Sequence, residues 1–585
     1  MRRVSCEPAA SWAARETPSC VSGCTCRTGN PSQQPGRRTW SHDVAAARPS
    51  LCLAVLPDHY APRATTDTVL HQVVRAHLDC FLAETAAATD GTGLPRFIER
   101  ELRDFLGCGQ LERGFARVRC DTCRFERLLP FSCKTRAICP SCGGRRMAEQ
   151  AAHLVDAVLP WVPVRQWVLT VPHRLRYRLA FDHALCRTVL GVFVRAVLGW
   201  YRRRARRAGI ADGRSGTVTV VQRFGSGLEL NVHFHVLGLD GVFALAADGT
   251  MRFHRVEAPT DADIARLVGA IARRLGRLLA RRGLAIDATD PLAAESPALA
   301  GLASAAVQGR LALGPRAGSR VERLGGDPAA PWVESSRPLQ ARCAGCDLHG
   351  GVTVAGEDRR RHEQLCRYLL RPPIAQDRLT LRPDGTVVVL LKTPWRDGTT
   401  ALRFAPLTLL ERLAALTPRP RINVLLYHGM LAPHAAGRAA AVAYGRPLPG
   451  KQPHEQASDA SAALTPLSQP TVGAAVLEPN ATPLGMTASV APGTPIASTA
   501  GAPPQSPAAL PPAEAAPVAP RLARWRWADL LHRVFAVDVL ACPRCGGRMR
   551  ILATIDDPLV ARRILAHLGL LSTDPQPDPP TWRAA

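Results

Sequence analysis

The stretch Glu229-Leu230-Asn231-Val232-His233-Phe234-His235-Val236 decides the fold. In a β-strand, successive side chains point to opposite faces. Glu229, Asn231, His233 and His235 therefore share one face, and Leu230, Val232, Phe234 and Val236 share the other. The apolar set reads as core and the polar set as a working surface. Same-face neighbours on a strand lie roughly 7 Å apart, so the two imidazoles can converge on one metal ion, for which neutral imidazole is a common ligand. A His-x-His pair alone more often marks an ordinary strand with two half-exposed histidines. The rest of the chain decides between the two.

Upstream, Thr217 to Phe224 is rich in β-branched residues, and Gly225-Ser-Gly227 turns it into the histidine strand. The two read as antiparallel neighbours. Arg165-Gln-Trp-Val-Leu-Thr-Val171 reads as another buried strand, and 182–207 as a long helix ending in the basic run Tyr201-Arg-Arg-Arg-Ala-Arg-Arg207. Downstream, Asp261 to Arg282 has the apolar spacing of an amphipathic helix. Gly356 to Leu370 reads as a helix stopped by Pro372-Pro373. On it Arg361, Gln364 and Tyr368 share a face. Pro383-Asp-Gly385 marks a hairpin. The expected class is α+β, a central antiparallel sheet with packed helices.

The chain has 585 residues and a formal charge of +26, carried almost wholly by arginine. Guanidinium favours phosphate through its planar fork, and a charge this large predicts a polyanionic partner, most simply nucleic acid. The 18 cysteines do not resemble a secreted disulfide scaffold. Cys120-Asp-Thr-Cys123 and Cys139-Pro-Ser-Cys142 have the spacing of one Cys₄ zinc site. Cys108 and Cys133 are then surplus: they are either buried apolar residues or part of a second site, and the first reading is favoured. Cys343 and Cys346 lack a clear partner. Cys542-Pro-Arg-Cys545 is half a site, which either borrows ligands or holds no metal. No run of about 18 apolar residues appears, so no membrane span is expected.

Five segments follow. Residues 1–65 read as a poorly structured leader, 66–150 as a helical and zinc-binding DNA-binding domain, and 160–435 as the catalytic domain with an irregular insertion at 285–340. Residues 438–520, rich in Ala, Pro, Ser and Thr, read as a disordered linker. Residues 521–570 form the Cys-x-x-Cys knuckle and a helix, expected to be separable from catalysis.

The block Cys108 to Arg146, with Phe131-Ser-Cys-Lys134, resembles the zinc-binding domain of rolling-circle insertion-sequence transposases of the IS91 type. The resemblance continues through Val221-Gln-Arg-Phe-Gly225, Asn231-Val-His-Phe-His235, Asp240-Gly-Val-Phe243, Cys366-Arg-Tyr-Leu-Leu-Arg-Pro-Pro373 and Tyr427-His-Gly429. It implies a fold of the HUH-endonuclease class and a transposase that nicks and rejoins single-stranded DNA at transposon ends and target DNA. By the resemblance, His233 and His235 hold Mg²⁺ or Mn²⁺, and Tyr368 occupies the position of the nucleophile that forms a 5′-phosphotyrosine. The third metal ligand is Gln364, Glu229 or Gln222. A second tyrosine on that helix is missing, which makes this a one-tyrosine variant. The resemblance further implies a structural Zn²⁺ and a bacterial cytoplasmic, nucleoid-associated protein. A plasmid replication initiator or relaxase would share the chemistry; a decayed, non-catalytic zinc-dependent DNA-binding protein would share the zinc block.

Overall fold

The computed structural model describes residues 65–283, 290–327, 337–447, 527–535 and 538–571. The expected leader and most of the expected linker lie outside the described residues.

The centre is a six-stranded sheet, antiparallel at every pairing. Its order is Leu425–Gly429, Gly216–Phe224, Leu230–Leu239, Val164–Thr170, Cys346–Val354, Gln340–Cys343. The histidine strand therefore lies inside the sheet, between the two strands read as its companions. Register places Gln222 and Thr170 on either side of His233, and Val220 and Val168 on either side of His235.

Alternation along the strands builds two cores. On one face Trp167, Leu169, Val232, Phe234 and Val236 join Phe193 and Val197 of the helix His183–Arg207 and Ile264 and Ile271 of the helix Asp261–Arg281. That first helix is long and apolar enough to cross a membrane, but 67% of its most apolar window is buried inside the protein. On the other face Val164, Val218, Val220 and Leu237 meet Leu365, Cys366 and Leu369 of the helix Arg359–Leu370. The helix that carries Tyr368 thus lies on the histidine face. The polar set is covered by that helix rather than half-exposed: every residue of Leu230–Leu239 is buried.

One ion pair fixes the sheet to the long helix. Arg165 Nε and Nη2 donate to Asp240 Oδ1 and Oδ2 at 2.9 and 3.1 Å, and Nη1 donates to the Gly350 carbonyl at 2.9 Å. The Tyr201 hydroxyl donates to Asp240 Oδ1 at 3.1 Å. A buried pair is tolerated when its remaining donors are also satisfied, as these are.

Within 285–340 the structure contains the helix Pro297–Gln308. Ala298, Leu299, Ala300, Leu302, Ala303, Ala306 and Val307 are all buried. Its exposed face is Pro297, Gly301, Ser304 and Gln308, mostly small and uncharged residues, so the polar contrast that marks an amphipathic helix is weak and periodicity did not reveal it. Smaller sheets flank the centre, including the hairpin Leu379–Leu381 with Val387–Leu390 expected around Pro383-Asp-Gly385. A three-stranded sheet orders Met549–Ile555, Phe115–Cys120 and Glu126–Pro130. Its first strand comes from the far end of the chain.

Candidate active site and zinc centres

Eight cysteines form two quartets, and neither is the quartet expected from spacing. Cys108, Cys133, Cys139 and Cys142 make one; Cys120, Cys123, Cys542 and Cys545 make the other, with the sulfurs of each within 4.8 Å of one another. In the first, Sγ–Sγ separations are 3.9 Å for Cys108–Cys142, 3.6 Å for Cys108–Cys139 and 3.5 Å for Cys133–Cys142. In the second, Cys120–Cys545 and Cys123–Cys542 are both 3.6 Å. A tetrahedral Zn–S₄ site with 2.3 Å bonds has S–S edges of roughly 3.8 Å. Both quartets fit a structural Zn²⁺.

The local reason for the exchange lies in the backbone. Pro140 opens the helix Pro140–His153 directly after Cys139, which turns Cys139 and Cys142 inward to buried Cys108. Cys120 and Cys123 lie at the tip of the hairpin, where Arg124 takes a left-handed φ of 63°. There they meet the C-terminal knuckle, held in register by Cys120 opposite Met549 and Phe115 opposite Ile555. The hydrogen bond from the Cys123 backbone N–H is the largest influence pulling the Cys120 thiol down to about 6, which favours the thiolate that zinc needs. Cys108 and Cys133 are ligands rather than packing residues, and the C-terminal pair does borrow its partners. Cys343 and Cys346 face each other across a hairpin and join no third ligand among the described residues.

This pairing makes a prediction. Cys542→Ser with Cys545→Ser should lower bound zinc from about two ions per chain to about one and free the C-terminal segment to proteolysis. Unchanged zinc content in the folded double variant would restore the Cys120–Cys142 quartet.

The histidine face opens into a cavity of about 780 Å³, lined among others by Asn231, His233, His235, Tyr368, Arg371 and Lys392. His233 and His235 are 5% and 1% exposed. Burial drives both imidazoles down, His233 to about 4, so both are neutral near pH 7. His233 Nδ1 lies 2.8 Å from the Asn231 carbonyl oxygen. A carbonyl only accepts, so Nδ1 carries the proton and Nε2 the lone pair. His235 Nδ1 lies 2.8 Å from the Gln166 side-chain amide, whose rotation by half a turn lets it serve either tautomer. The two Nε2 atoms are 3.1 Å apart. Neighbouring nitrogens on one ion with bonds near 2.1 Å stand roughly 3.0–3.4 Å apart. The imidazoles thus fit a shared cation.

Oxygen donors stand beside them. Gln222 lies opposite His233; its amide nitrogen donates to the Leu369 carbonyl at 2.8 Å, while its Oε1 is buried without a partner. Both amide atoms of Asn231, 1% exposed, are also without a partner. Gln364 is exposed and does not line the cavity. Glu229 turns back to accept from the Gly227 N–H at 3.0 Å. Asn231, which the sequence offered on the right face, went unread as a donor because an amide beside a histidine carries no distinctive spacing.

Tyr368 sits over this pair, its ring 5.9 Å from that of His235 and perpendicular to it. Burial pushes its hydroxyl up, and the charge of Arg371 partly offsets this. The other described tyrosines do not line this cavity. Tyr177 donates to Asp290, Tyr201 donates to Asp240, Tyr444 meets Phe243 edge-on, and Tyr427, in the edge strand paired with Val218, packs on the same apolar cluster as Tyr368.

The zinc centre of Cys108, Cys133, Cys139 and Cys142 reaches the same cavity. Pro140, Gly144 and Met147 of the zinc helix line it, and a Cβ added to Gly143 would stand 2.8 Å from Pro372, just past the tyrosine helix. From the C-terminal helix Trp527–Phe535, Arg533 bridges Asp156 and Glu363 of the tyrosine helix at 2.5 and 2.7 Å. The segment expected to be separable from catalysis is thus in contact with the tyrosine helix.

No curated protein and no solved structure is significantly similar to the chain. Two families match it: one described as a transposase zinc-binding domain at residues 73–171, the other as a putative transposase at residues 216–439. The first spans the quartet of Cys108, Cys133, Cys139 and Cys142, and the second spans His233, His235 and Tyr368. With zinc centres and polar cavity in one α+β body, the chain belongs to the IS91-type transposases, DNA-processing enzymes with an N-terminal zinc-binding domain.

Proposed function

We propose that this transposase nicks and rejoins single-stranded DNA at the ends of its element, and at its target, through a 5′-phosphotyrosine on Tyr368. The observation that carries the reading is the grouping of Tyr368 with two neutral imidazoles, whose Nε2 atoms are 3.1 Å apart, in one cavity. His233 and His235 would hold Mg²⁺ or Mn²⁺, with Gln222 Oε1 and Asn231 Oδ1 better placed than Gln364 to add oxygen. A divalent ion held there would draw charge from the phosphate oxygens.

The chain's own residues do the rest. The Tyr368 hydroxyl oxygen bonds to phosphorus as its proton passes to water in the cavity, the bond from phosphorus to the 3′ oxygen breaks, and that oxygen takes a proton from water and leaves as a 3′-OH. The phosphotyrosine conserves the bond energy, so a second 3′-OH can attack it and reseal a strand. A single tyrosine on this helix means one covalent link at a time. Gln166 and the Asn231 carbonyl fix the imidazole rings, as partners of ligating histidines do generally. The reading places the protein at the nucleoid, in bacterial cytoplasm.

Its test is nicking of oligonucleotides from the element ends by the purified chain with Mg²⁺ or Mn²⁺. A site-dependent nick with protein on the 5′ end supports it; a free 5′ phosphate would contradict it. Binding should also be largely electrostatic, given the +26 charge. Affinity for single strands should fall with a log–log salt slope of roughly −0.7 for each phosphate neutralised. A flat salt dependence would mean that the arginines do not face the DNA.

A further inference from the structure

Arg371 is the first residue beyond the tyrosine helix, with extended backbone at φ −56° and ψ 146°. Its side chain folds back into the cavity. The guanidinium carbon lies 4.8 Å from the centre of the Tyr368 ring and 5.7 Å from that of Phe224. Its Nε is buried with no hydrogen-bond partner. The other guanidinium in the cavity is held in place, since Arg378 donates to the Leu390 carbonyl at 2.6 Å and to the Ser226 carbonyl at 3.1 Å.

The surroundings of Arg371 are cationic. Arg378 and Lys392 line the same wall. Asp377, the acidic residue of that lining, is exposed and acts on Arg378. A half-buried guanidinium pressed on an aromatic face among like charges has an unmet demand for an anion. The cavity is built to receive one.

We propose that Arg371 is a further catalytic residue, binding the non-bridging oxygens of the scissile phosphodiester while its flat face rests on the Tyr368 ring. The planar fork suits two phosphate oxygens. Its seat on the ring puts phosphorus within reach of the Tyr368 hydroxyl, and its charge opposes the negative charge that grows on phosphate during attack. This rests on the reading of Tyr368 as nucleophile.

The test is a binding cycle in the full chain carrying Tyr368→Phe, which cannot cleave, with Mn²⁺ present. The probe is a single-stranded oligonucleotide of the element end. It is made once with normal phosphates and once with a neutral methylphosphonate at the position that the Tyr368 chain nicks. Arg371→Gln should weaken binding of the normal oligonucleotide about tenfold to a hundredfold, and of the methylphosphonate by less than about threefold. Arg371→Lys keeps the charge but not the fork and should fall between. Equal losses on both probes would show that Arg371 serves only to hold the ring or the fold, and would overturn the proposal. The covalent adduct of the unmodified chain separates the two levels. An adduct on Tyr368 with no coupling removes Arg371 alone; an adduct on another tyrosine removes the nucleophile reading beneath it.

Discussion

A chain carrying Tyr368→Phe should fold, keep its zinc, bind single-stranded element ends and fail to nick them. The substitution removes one oxygen. Among the described residues that hydroxyl makes no protein hydrogen bond, while the ring keeps its contacts with His235 and Arg371. Stability should therefore change little, whereas the rate should fall on the order of 10⁴-fold or more, since the covalent step has lost its nucleophile. His233→Ala and His235→Ala should also suppress nicking, but by another route, and excess Mn²⁺ should restore part of a single histidine variant's activity. It should restore none to Tyr368→Phe. Nicking by Tyr368→Phe at the normal rate would pass the role to another group.

The second large effect belongs to the inner zinc centre. Cys139→Ser with Cys142→Ser should remove about one zinc per chain and abolish nicking, although neither cysteine touches the histidines. The reason is mechanical. These ligands open the helix that walls the cavity through Pro140, Gly144 and Met147 and abuts Pro372 through Gly143. Structural zinc contributes about 10–16 kcal/mol in small zinc domains, comparable to the whole stability of a domain. Losing it should release the wall and the turn after Tyr368 together. The check is zinc content by atomic absorption alongside nicking. Normal nicking after loss of one zinc would show that this centre does not support the site. The outer-centre variant, Cys542→Ser with Cys545→Ser, should lose the same amount of metal and act only through the Arg533–Glu363 brace, so its nicking should suffer less.

Much of this was legible in the chain. Period-two alternation placed His233 and His235 on one face and Phe234 on the other, because burial of one face enforces register. Pro372-Pro373 ended the tyrosine helix, and the helix stop is what carries Tyr368 to the cavity and Arg371 over its ring. The zinc pairing was not legible, since ligand spacing is local and the partner of Cys120 lies 425 positions away. One signal did exist. Cys139-Pro-Ser-Cys142-Gly-Gly and Cys542-Pro-Arg-Cys545-Gly-Gly are near copies, so each asks for its own second pair, and Cys108 with Cys133 supplies one of them. The burial of the histidines was also hidden, because alternation tells which residues share a face but not what covers it. Gln364 illustrates the same limit: helical spacing put it near Tyr368, while the helix turned it to solvent.

The central claim is that Tyr368 takes up the DNA, and one measurement meets it directly. The full chain is incubated with an element-end oligonucleotide and Mn²⁺, digested with protease, and the peptide that carries nucleotide is sequenced by mass spectrometry. The account predicts a 5′-phosphate ester on Tyr368, in the peptide that contains Cys366-Arg-Tyr368. An adduct on Tyr427, or nicked DNA with no adduct at all, would contradict it.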